Sequence, residues 1–91
     1  MPAIEEIALR QNNPNPFTNT TTIHYAFPQK SASAQILITD ITGKMIKQVD
    51  LPGSGKGILN VDASMLSPGK FNYSLVVDGK IISTKQMLLV K

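Results

Sequence analysis

The side chains that could do acid–base or metal chemistry are few and widely separated in this sequence. His24 is the only histidine and cysteine is absent, so neither a site with two or three imidazole ligands nor a thiol nucleophile can form. The four aspartates after the first six residues lie at predicted strand ends or turns, where Asp is favoured for local hydrogen bonds: Asp40, Asp50, Asp62 and Asp78. The sequence therefore predicts no catalytic site, no metal and no cofactor.

Neither the glycine-rich run nor the basic charge predicts binding of nucleotides or nucleic acid. In the run Gly53-Ser-Gly-Lys-Gly57 the lysine is followed by Gly, whereas a phosphate-binding loop needs Ser or Thr there and a following helix. We expect a flexible connection instead. The nine Lys and Arg residues are spread along the chain, so the net charge of +3 fits solubility better than a nucleic-acid surface.

The elements that position these residues are predicted to be β-strands. A chain of 91 residues suffices for one domain with one modest core. Turn residues recur about every 8–12 residues and apolar residues alternate between them. We predict strands within residues 7–11, 21–27, 34–40, 44–51, from 59, 71–77 and 80–90. About seven strands imply an all-β, immunoglobulin-like β-sandwich over residues 7–91, with residues 1–6 as a linker.

Local residue chemistry also predicts how the strands are connected. Gly43 is expected to supply a positive φ in a hairpin turn. The return strand is predicted to contain a β-bulge, because strict alternation cannot put Ile46 and Val49, three residues apart, on one face. Asp62 is expected to cap one helical turn that points Leu66 into the core. Residues 67–69 are predicted to form a type II turn, and residues 78–79 a tight hairpin turn.

No targeting or membrane segment is predicted. The first six residues lack the basic and apolar regions of a secretory signal peptide. The longest apolar runs have four or five residues, for example residues 87–90, against about 20 in a transmembrane helix. We expect this chain to be a piece of a larger protein.

Several motifs together resemble one family. The run Leu9-Arg-Gln-Asn-Asn-Pro-Asn-Pro-Phe17 is followed by Thr21-Thr-Ile-His-Tyr25. Later come Ile38-Thr-Asp-Ile-Thr-Gly43, Leu66-Ser-Pro-Gly69 with Phe71 and Tyr73, and the closing run 84–91. In this order the motifs resemble the type A C-terminal sorting domain of the type IX secretion system of Bacteroidetes, over about residues 8–91.

The resemblance implies a non-catalytic sorting signal fused to an upstream cargo protein. Its implied partners are the outer-membrane translocon, a shuttle protein and a sortase that removes the domain. The domain would pass through the periplasm, and the cargo would reach the outer-membrane surface, attached to lipopolysaccharide, or be released outside the cell. The implied recognition motif comprises Pro14, Asn15, Pro16, Phe17, Gly43, Gly69, Tyr73, Lys85 and Lys91.

The residues leave two local questions open. Pro14 and Pro16 stiffen a loop that could dock with less loss of entropy, while Phe17 could instead plug the core. In the final strand Met87 and Leu89 share one face, and Gln86, Leu88 and Val90 share the other. We expect this strand to leave an edge or tail exposed, covered either by the secretion machinery or by a neighbouring loop of the same domain.

The alternative function is a fibronectin-like or carbohydrate-binding accessory module of a secreted enzyme. Sugar binding usually needs exposed flat rings, and the chain has five aromatic residues and no Trp. At least three of the five alternate as core positions. An exposed aromatic row would favour the module, whereas burial of Tyr25, Phe27, Phe71 and Tyr73 would favour the sorting signal.

Overall fold

Alternating apolar residues form seven strands in the computed structural model, which describes residues 8–27, 33–51 and 55–90. The strands are β1 (Ala8–Leu9), β2 (Thr20–Ala26), β3 (Ala34–Asp40), β4 (Met45–Asp50), β5 (Lys56–Asp62), β6 (Gly69–Val77) and β7 (Lys80–Leu89). A single 3₁₀ turn, Ala63–Met65, connects β5 to β6.

Two antiparallel sheets enclose the core. One has the strand order β1-β2-β5 and the other β4-β3-β6-β7, so strands adjacent in sequence, such as β4 and β5, belong to different sheets. The predicted all-β, immunoglobulin-like sandwich is thereby confirmed. Burial alternates along the central strands, and the largest fully buried side chains come from both sheets: Tyr73, Phe17, Ile23, Ile36, Ile38, Leu75, Met87 and Leu89.

The predicted faces of the central strands are confirmed. In β2, Ile23 and Tyr25 are buried and so is Phe27 just beyond it, while His24 is exposed on the opposite face. In β6 and at its end, the alternating set Phe71, Tyr73, Leu75 and Val77 is buried. A period of two therefore sets the face that each side chain occupies.

Most predicted connections are also confirmed. Gly43 has φ +91° in the β3–β4 turn, and Asp78-Gly79, with φ +51° and +81°, joins β6 to β7. The β3–β4 register shifts between Ile38 and Thr39, which leaves Ile46 as the extra residue of a bulge. Asp62 caps the 3₁₀ turn through a 2.9 Å bond from the Ser64 N–H, and Leu66 is buried.

Two boundary predictions were wrong. The strand expected from residue 59 begins at Lys56, so part of the glycine-rich run belongs to β5. Gly69 is the first residue of β6, with φ +145° instead of the about +80° of a type II turn. Residues 1–6, Ile7 and residues 52–54 lie outside the described residues.

Within the described residues, no helix has the length and apolar composition needed to cross a membrane.

Candidate functional site

Sequence motifs that are far apart in the chain meet at one end of the four-stranded sheet. Asp40 at the end of β3 pairs with Phe71 of β6, and Gly69 of β6 pairs with Leu89 of β7. Phe17 forms a parallel bridge with the same Leu89. We call this region the motif end; it comprises residues 12–17, 40–46, 66–71 and 87–90.

The proline loop, residues 12–17, contributes both an exposed tip and a buried anchor to the motif end. Pro14, Asn15 and Pro16 are exposed, whereas Phe17 is only 1% exposed. The peptide bonds before both prolines are cis. The Phe17 N–H donates to the Leu88 carbonyl, and the Phe17 carbonyl accepts from the Val90 N–H, each at 2.9 Å. Phe17 is thus a core residue that extends the sheet beyond β7.

Side chains of the proline loop and of Gln11 just before it close the outer edge of the last part of β7. The Asn15 Oδ1 accepts a 2.9 Å bond from the Leu88 N–H, and the Gln11 Nε2 donates to the Gln86 carbonyl at 2.5 Å. The expectation of an exposed edge at this end of the chain was therefore wrong for residues 86–90. The neighbouring loop of the same domain covers this backbone edge and so protects it from unwanted pairing. It does not cover the whole second face of the strand, since Val90 is 40% exposed.

A buried polar network fixes the start of the proline loop. The Tyr73 hydroxyl donates to the Arg10 carbonyl at 2.7 Å and accepts from the Asn12 N–H at 2.8 Å. The Asn12 Nδ2 donates to the Thr21 Oγ1 at 3.0 Å, and that hydroxyl donates to the Pro14 carbonyl at 2.8 Å. Burial raises the pKa of Tyr73, against a smaller lowering by the Asn12 N–H. The network joins the loop to both sheets, since Thr21 belongs to β2 and Tyr73 to β6.

The β3–β4 turn forms the opposite side of the motif end. The Asp40 Oδ1 accepts bonds from the Thr42 hydroxyl at 2.6 Å and from the N–H groups of Thr42 and Lys44 at 2.9 and 3.0 Å. The Thr42 hydroxyl bond is the main cause that lowers the pKa of Asp40. Gly43 completes the turn with a positive φ that favours glycine. The carboxylate therefore stabilises a turn, which agrees with its predicted structural role.

An apolar groove lies between this turn and the segment before β6. Its volume is about 470 Å³, and Ile41, Ile46, Leu66, Pro68 and Phe71 are among its lining residues. Ile41 is 70% exposed and Ile46 is 40% exposed. Large exposed aliphatic side chains beside a groove are typical of surfaces that contact another protein.

The predicted recognition residues occupy different environments. Phe17 and Tyr73 are buried, and Gly69 lines the apolar groove. Lys85 is half-buried and pairs with Tyr73 across the sheet, in the middle of β7. Lys91 lies outside the described residues.

Three residues of this site were not singled out by sequence reasoning. Asn12 and Thr21 are the buried polar residues of the structure, and both lie within quoted motifs, which was the available clue. Ile41 was missed as a surface residue. The available clue was that Ile41 lies in a predicted turn, where no strand would bury its side chain.

Metal-binding groups of side chains are absent from the residues that the structure describes. His24 is exposed on the sheet that contains β2, and no three His, Asp or Glu side chains of the described ranges are grouped so that they could hold a metal ion. The surface of the motif end consists of the proline loop, the β3–β4 turn and the apolar groove.

The comparison with protein families identifies the class. Residues 13–91 match the family described as the secretion system C-terminal sorting domain. The match covers most of the chain, so the chain belongs to this family, the sorting domains of type IX secretion. No match was found among curated proteins or solved structures. Membership implies an interaction with the type IX machinery, a fused cargo, and export across the outer membrane to the cell surface or the extracellular space.

Proposed function

We propose that this domain is a non-catalytic signal whose motif end is recognised by the outer-membrane translocon of the type IX system. The observation that supports the proposal is the convergence of the family motifs. Phe17, Gly69 and Leu89 are distant in sequence but adjacent in the sheet. Only the folded domain brings these motifs together, so folding in the periplasm precedes recognition.

The later steps follow from the function of a removable signal. A shuttle protein also recognises the domain, and a sortase cleaves it from the cargo. The cargo then remains at the cell surface or is released. The recognition residues are the exposed Pro14, Asn15 and Pro16 together with the groove that Gly43 and Gly69 flank. Lys85 of β7 and Lys91, which lies outside the described residues, are the basic residues of the proposed motif, and Phe17 and Tyr73 hold the surface in shape.

A reporter export assay with matched isoleucine variants tests this proposal. Residues 7–91 are fused to a periplasmic reporter in a host that has the type IX system. Ile41→Ser changes the groove, and Ile81→Ser changes an equally exposed isoleucine, at 66% compared with 70%, at the other end of the sheet. Neither side chain is in the core, so both variants should keep the wild-type melting midpoint.

The two variants should differ in export alone. We expect surface display of the reporter to fall with Ile41→Ser and to stay at the wild-type level with Ile81→Ser. Equal export of both variants would show that the groove is not a recognition surface. Failure of the unchanged fusion to leave the periplasm would refute the sorting function itself.

The alternative of a carbohydrate-binding module has less support. All five aromatic residues of the chain are at most 6% exposed: Phe17, Tyr25, Phe27, Phe71 and Tyr73. Their rings form the core, and Tyr25 stacks on Phe27 with centroids 6.0 Å apart. No aromatic ring is therefore left to stack on a sugar.

A further inference from the structure

Four strands form the edges of the two sheets, and three of these edges are protected in the described part of the chain. β1 has only two residues. β7 has a register shift near its start and is covered over its last part by Gln11, Asn15 and Phe17. β4 also has a register shift, and its Lys47 pairs with the buried Ile38 and so points inward. Short length, bulges, covering loops and inward charges all hinder pairing with another chain.

The fourth edge, that of β5, shows none of these protections within the described residues. β5 pairs with β2 over seven residues without a register shift, and it contains no proline and has charged residues only at its two ends. The Phe27 N–H donates to the Gly55 carbonyl, so the odd-numbered residues of β5 direct their backbone groups toward β2. By alternation, the N–H and carbonyl groups of Ile58 and Asn60 point away from the sheet. β5 therefore presents a regular edge that can pair with another strand.

The four-stranded sheet has one strand more than the sheet that covers it. β1 contacts β7 at one side of the sandwich, so the uncovered strand is β4 at the other side. Five of its six residues are exposed, although Lys47 and Val49 lie on its inner face, opposite buried isoleucines of β3. These two side chains and those of Leu59 and Val61 of β5 line a cavity of about 90 Å³. The inner face of β4 thus leaves room for one more strand beside β5.

We propose that the β5 edge binds an extended segment of a partner protein as an added fourth strand. The segment forms backbone hydrogen bonds with Ile58 and Asn60, as in other complexes in which a peptide extends a sheet. Its inward side chains cover the inner face of β4. The cavity there is far smaller than the about 300 Å³ of a small-ligand site, so it accepts a side chain of the segment and not a free ligand.

The charge on the inner face of β4 specifies the chemistry of the segment. Lys47 makes no hydrogen bond or ion pair among the described residues. Asp62, the other charged residue that lines the cavity, caps the 3₁₀ turn. The segment therefore carries a carboxylate at the inward position that faces Lys47 and an apolar side chain at the neighbouring inward position, above Val49.

A second copy of this chain does not fit the same edge. Antiparallel pairing of two β5 strands places a two-fold axis perpendicular to the sheet, between the strands. Because β4 extends beyond β5, this axis would bring the β4 strands of both copies into the same space. A single extended segment has no second sheet and avoids the collision. The residues involved lie outside the motif end, so the proposal goes beyond the sorting function and does not depend on it.

A peptide titration followed by amide NMR tests the proposal. The probe is the capped peptide TVTETVT, which is rich in strand-forming residues and reads the same in both directions. The control peptide, TVTKTVT, reverses the charge. We expect TVTETVT to cause saturable shifts at Ile58 and Asn60 and to slow hydrogen exchange of their N–H groups. TVTKTVT should bind at least about fivefold more weakly, because its lysine meets Lys47.

Two proline variants locate the edge that binds the peptide. Asn60→Pro removes an N–H that points away from β2, so the melting midpoint should stay close to the wild-type value. The affinity for TVTETVT should fall at least about tenfold, since a backbone bond is lost and the ring crowds the added strand. Gln48→Pro is the matched control on β4. The Leu51 N–H donates to the Ala34 carbonyl, so the N–H of Gln48 also points outward, and its loss should leave the affinity unchanged.

A charge reversal on the protein gives a test that leaves the backbone intact. Lys47→Glu should reverse the preference, so that TVTKTVT binds more tightly than TVTETVT. An unchanged preference would overturn the proposal, whatever the effect of Asn60→Pro on folding. The absence of saturable shifts with TVTETVT, or equal weakening by Asn60→Pro and Gln48→Pro, would also overturn it. A concentration-dependent dimer in sedimentation that Asn60→Pro abolishes would refute it by showing that a second copy occupies the edge.

Discussion

Tyr73→Phe removes one oxygen atom from the network that joins the proline loop to the two sheets. Tyr73 is fully buried, with 0% exposure, and its hydroxyl bonds the Arg10 carbonyl at 2.7 Å and the Asn12 N–H at 2.8 Å. Phe keeps the ring and its packing. The change therefore isolates the contribution of two hydrogen bonds that no local sequence pattern predicts.

The expected cost follows from the groups that remain. Asn12 is 3% exposed, so its N–H loses its partner where water cannot easily replace it. A buried unsatisfied group costs about 1–3 kcal/mol. For a domain of this size each kcal/mol shifts the melting midpoint by about 4–8 °C. We expect Tyr73→Phe to lower the midpoint by roughly 4–24 °C.

Tyr25→Phe is the matched control for the loss of a hydroxyl from a tyrosine whose ring is buried. Tyr25 is also buried, at 6% exposure, but among the described residues its hydroxyl has no hydrogen bond of the kind that Tyr73 makes. Its replacement should change the free energy of unfolding by less than about 0.5 kcal/mol. Urea denaturation measures both variants, and amide hydrogen exchange measures protection of the Asn12 N–H. Equal losses in the two variants, or an unchanged Asn12 exchange rate, would refute the reasoning.

The pKa of Tyr73 gives the same prediction a pH dependence. Burial raises this pKa in the folded state above the ordinary value of 10.0, while the unfolded chain titrates near that value. The neutral hydroxyl therefore stabilises the fold fully below about pH 10, and this contribution is lost as pH rises through the higher folded pKa. The stability difference between the wild type and Tyr73→Phe should shrink above pH 10. A difference that stays constant to higher pH would contradict burial as the cause.

Three further predictions concern the core, one close contact and metal binding. Phe17→Ala should lower the free energy of unfolding by about 3–5 kcal/mol in urea, since the ring is 1% exposed; a loss below about 1 kcal/mol would mean an accessible ring. Gly57→Ala should cost about 1–3 kcal/mol, because its Cβ would lie 2.5 Å from the Tyr25 hydroxyl oxygen, and Tyr25→Phe in the same chain should recover part of that loss. Thermal melts with and without a panel of divalent metals should coincide, and a reproducible shift of several degrees with one ion would contradict the absence of a metal site.

Local patterns were sufficient for the faces and most turns of the fold. The alternation in β2 and β6 and the turn at Gly43 depend on residues that are adjacent in the chain, so the sequence displays them directly. The start of β5 was missed because Gly57 hides the alternation there. Its inward position is occupied by the ring of Tyr25 on the neighbouring strand, and a contact between strands cannot be seen within one of them.

Most segments of the candidate site were predictable from the sequence, but their arrangement was not. The sequence motifs include the proline loop, Gly69 and the final strand. That these segments lie next to one another depends on the order of strands in the sheet. The bond from the Leu88 N–H to Asn15 spans 73 positions of the chain. Pairing at such a separation is set by tertiary packing, so the exposed edge expected for the final strand could not be corrected from the sequence.

The roles of the proline loop in folding and in recognition overlap, because Asn15 belongs to the proposed recognition residues and also holds the final strand. Backbone groups of Phe17 and the side chain of Asn15 hold residues 88–90, so deletion of those residues removes structure together with any recognition. Loss of export in such a deletion therefore says nothing about recognition unless the melting midpoint is kept. Ile41 is free of this problem, because it is 70% exposed and lies across the motif end from the loop. A motif that closes a sheet edge contributes to stability whether or not the machinery contacts it, so recognition is tested most directly at exposed neighbours such as Ile41.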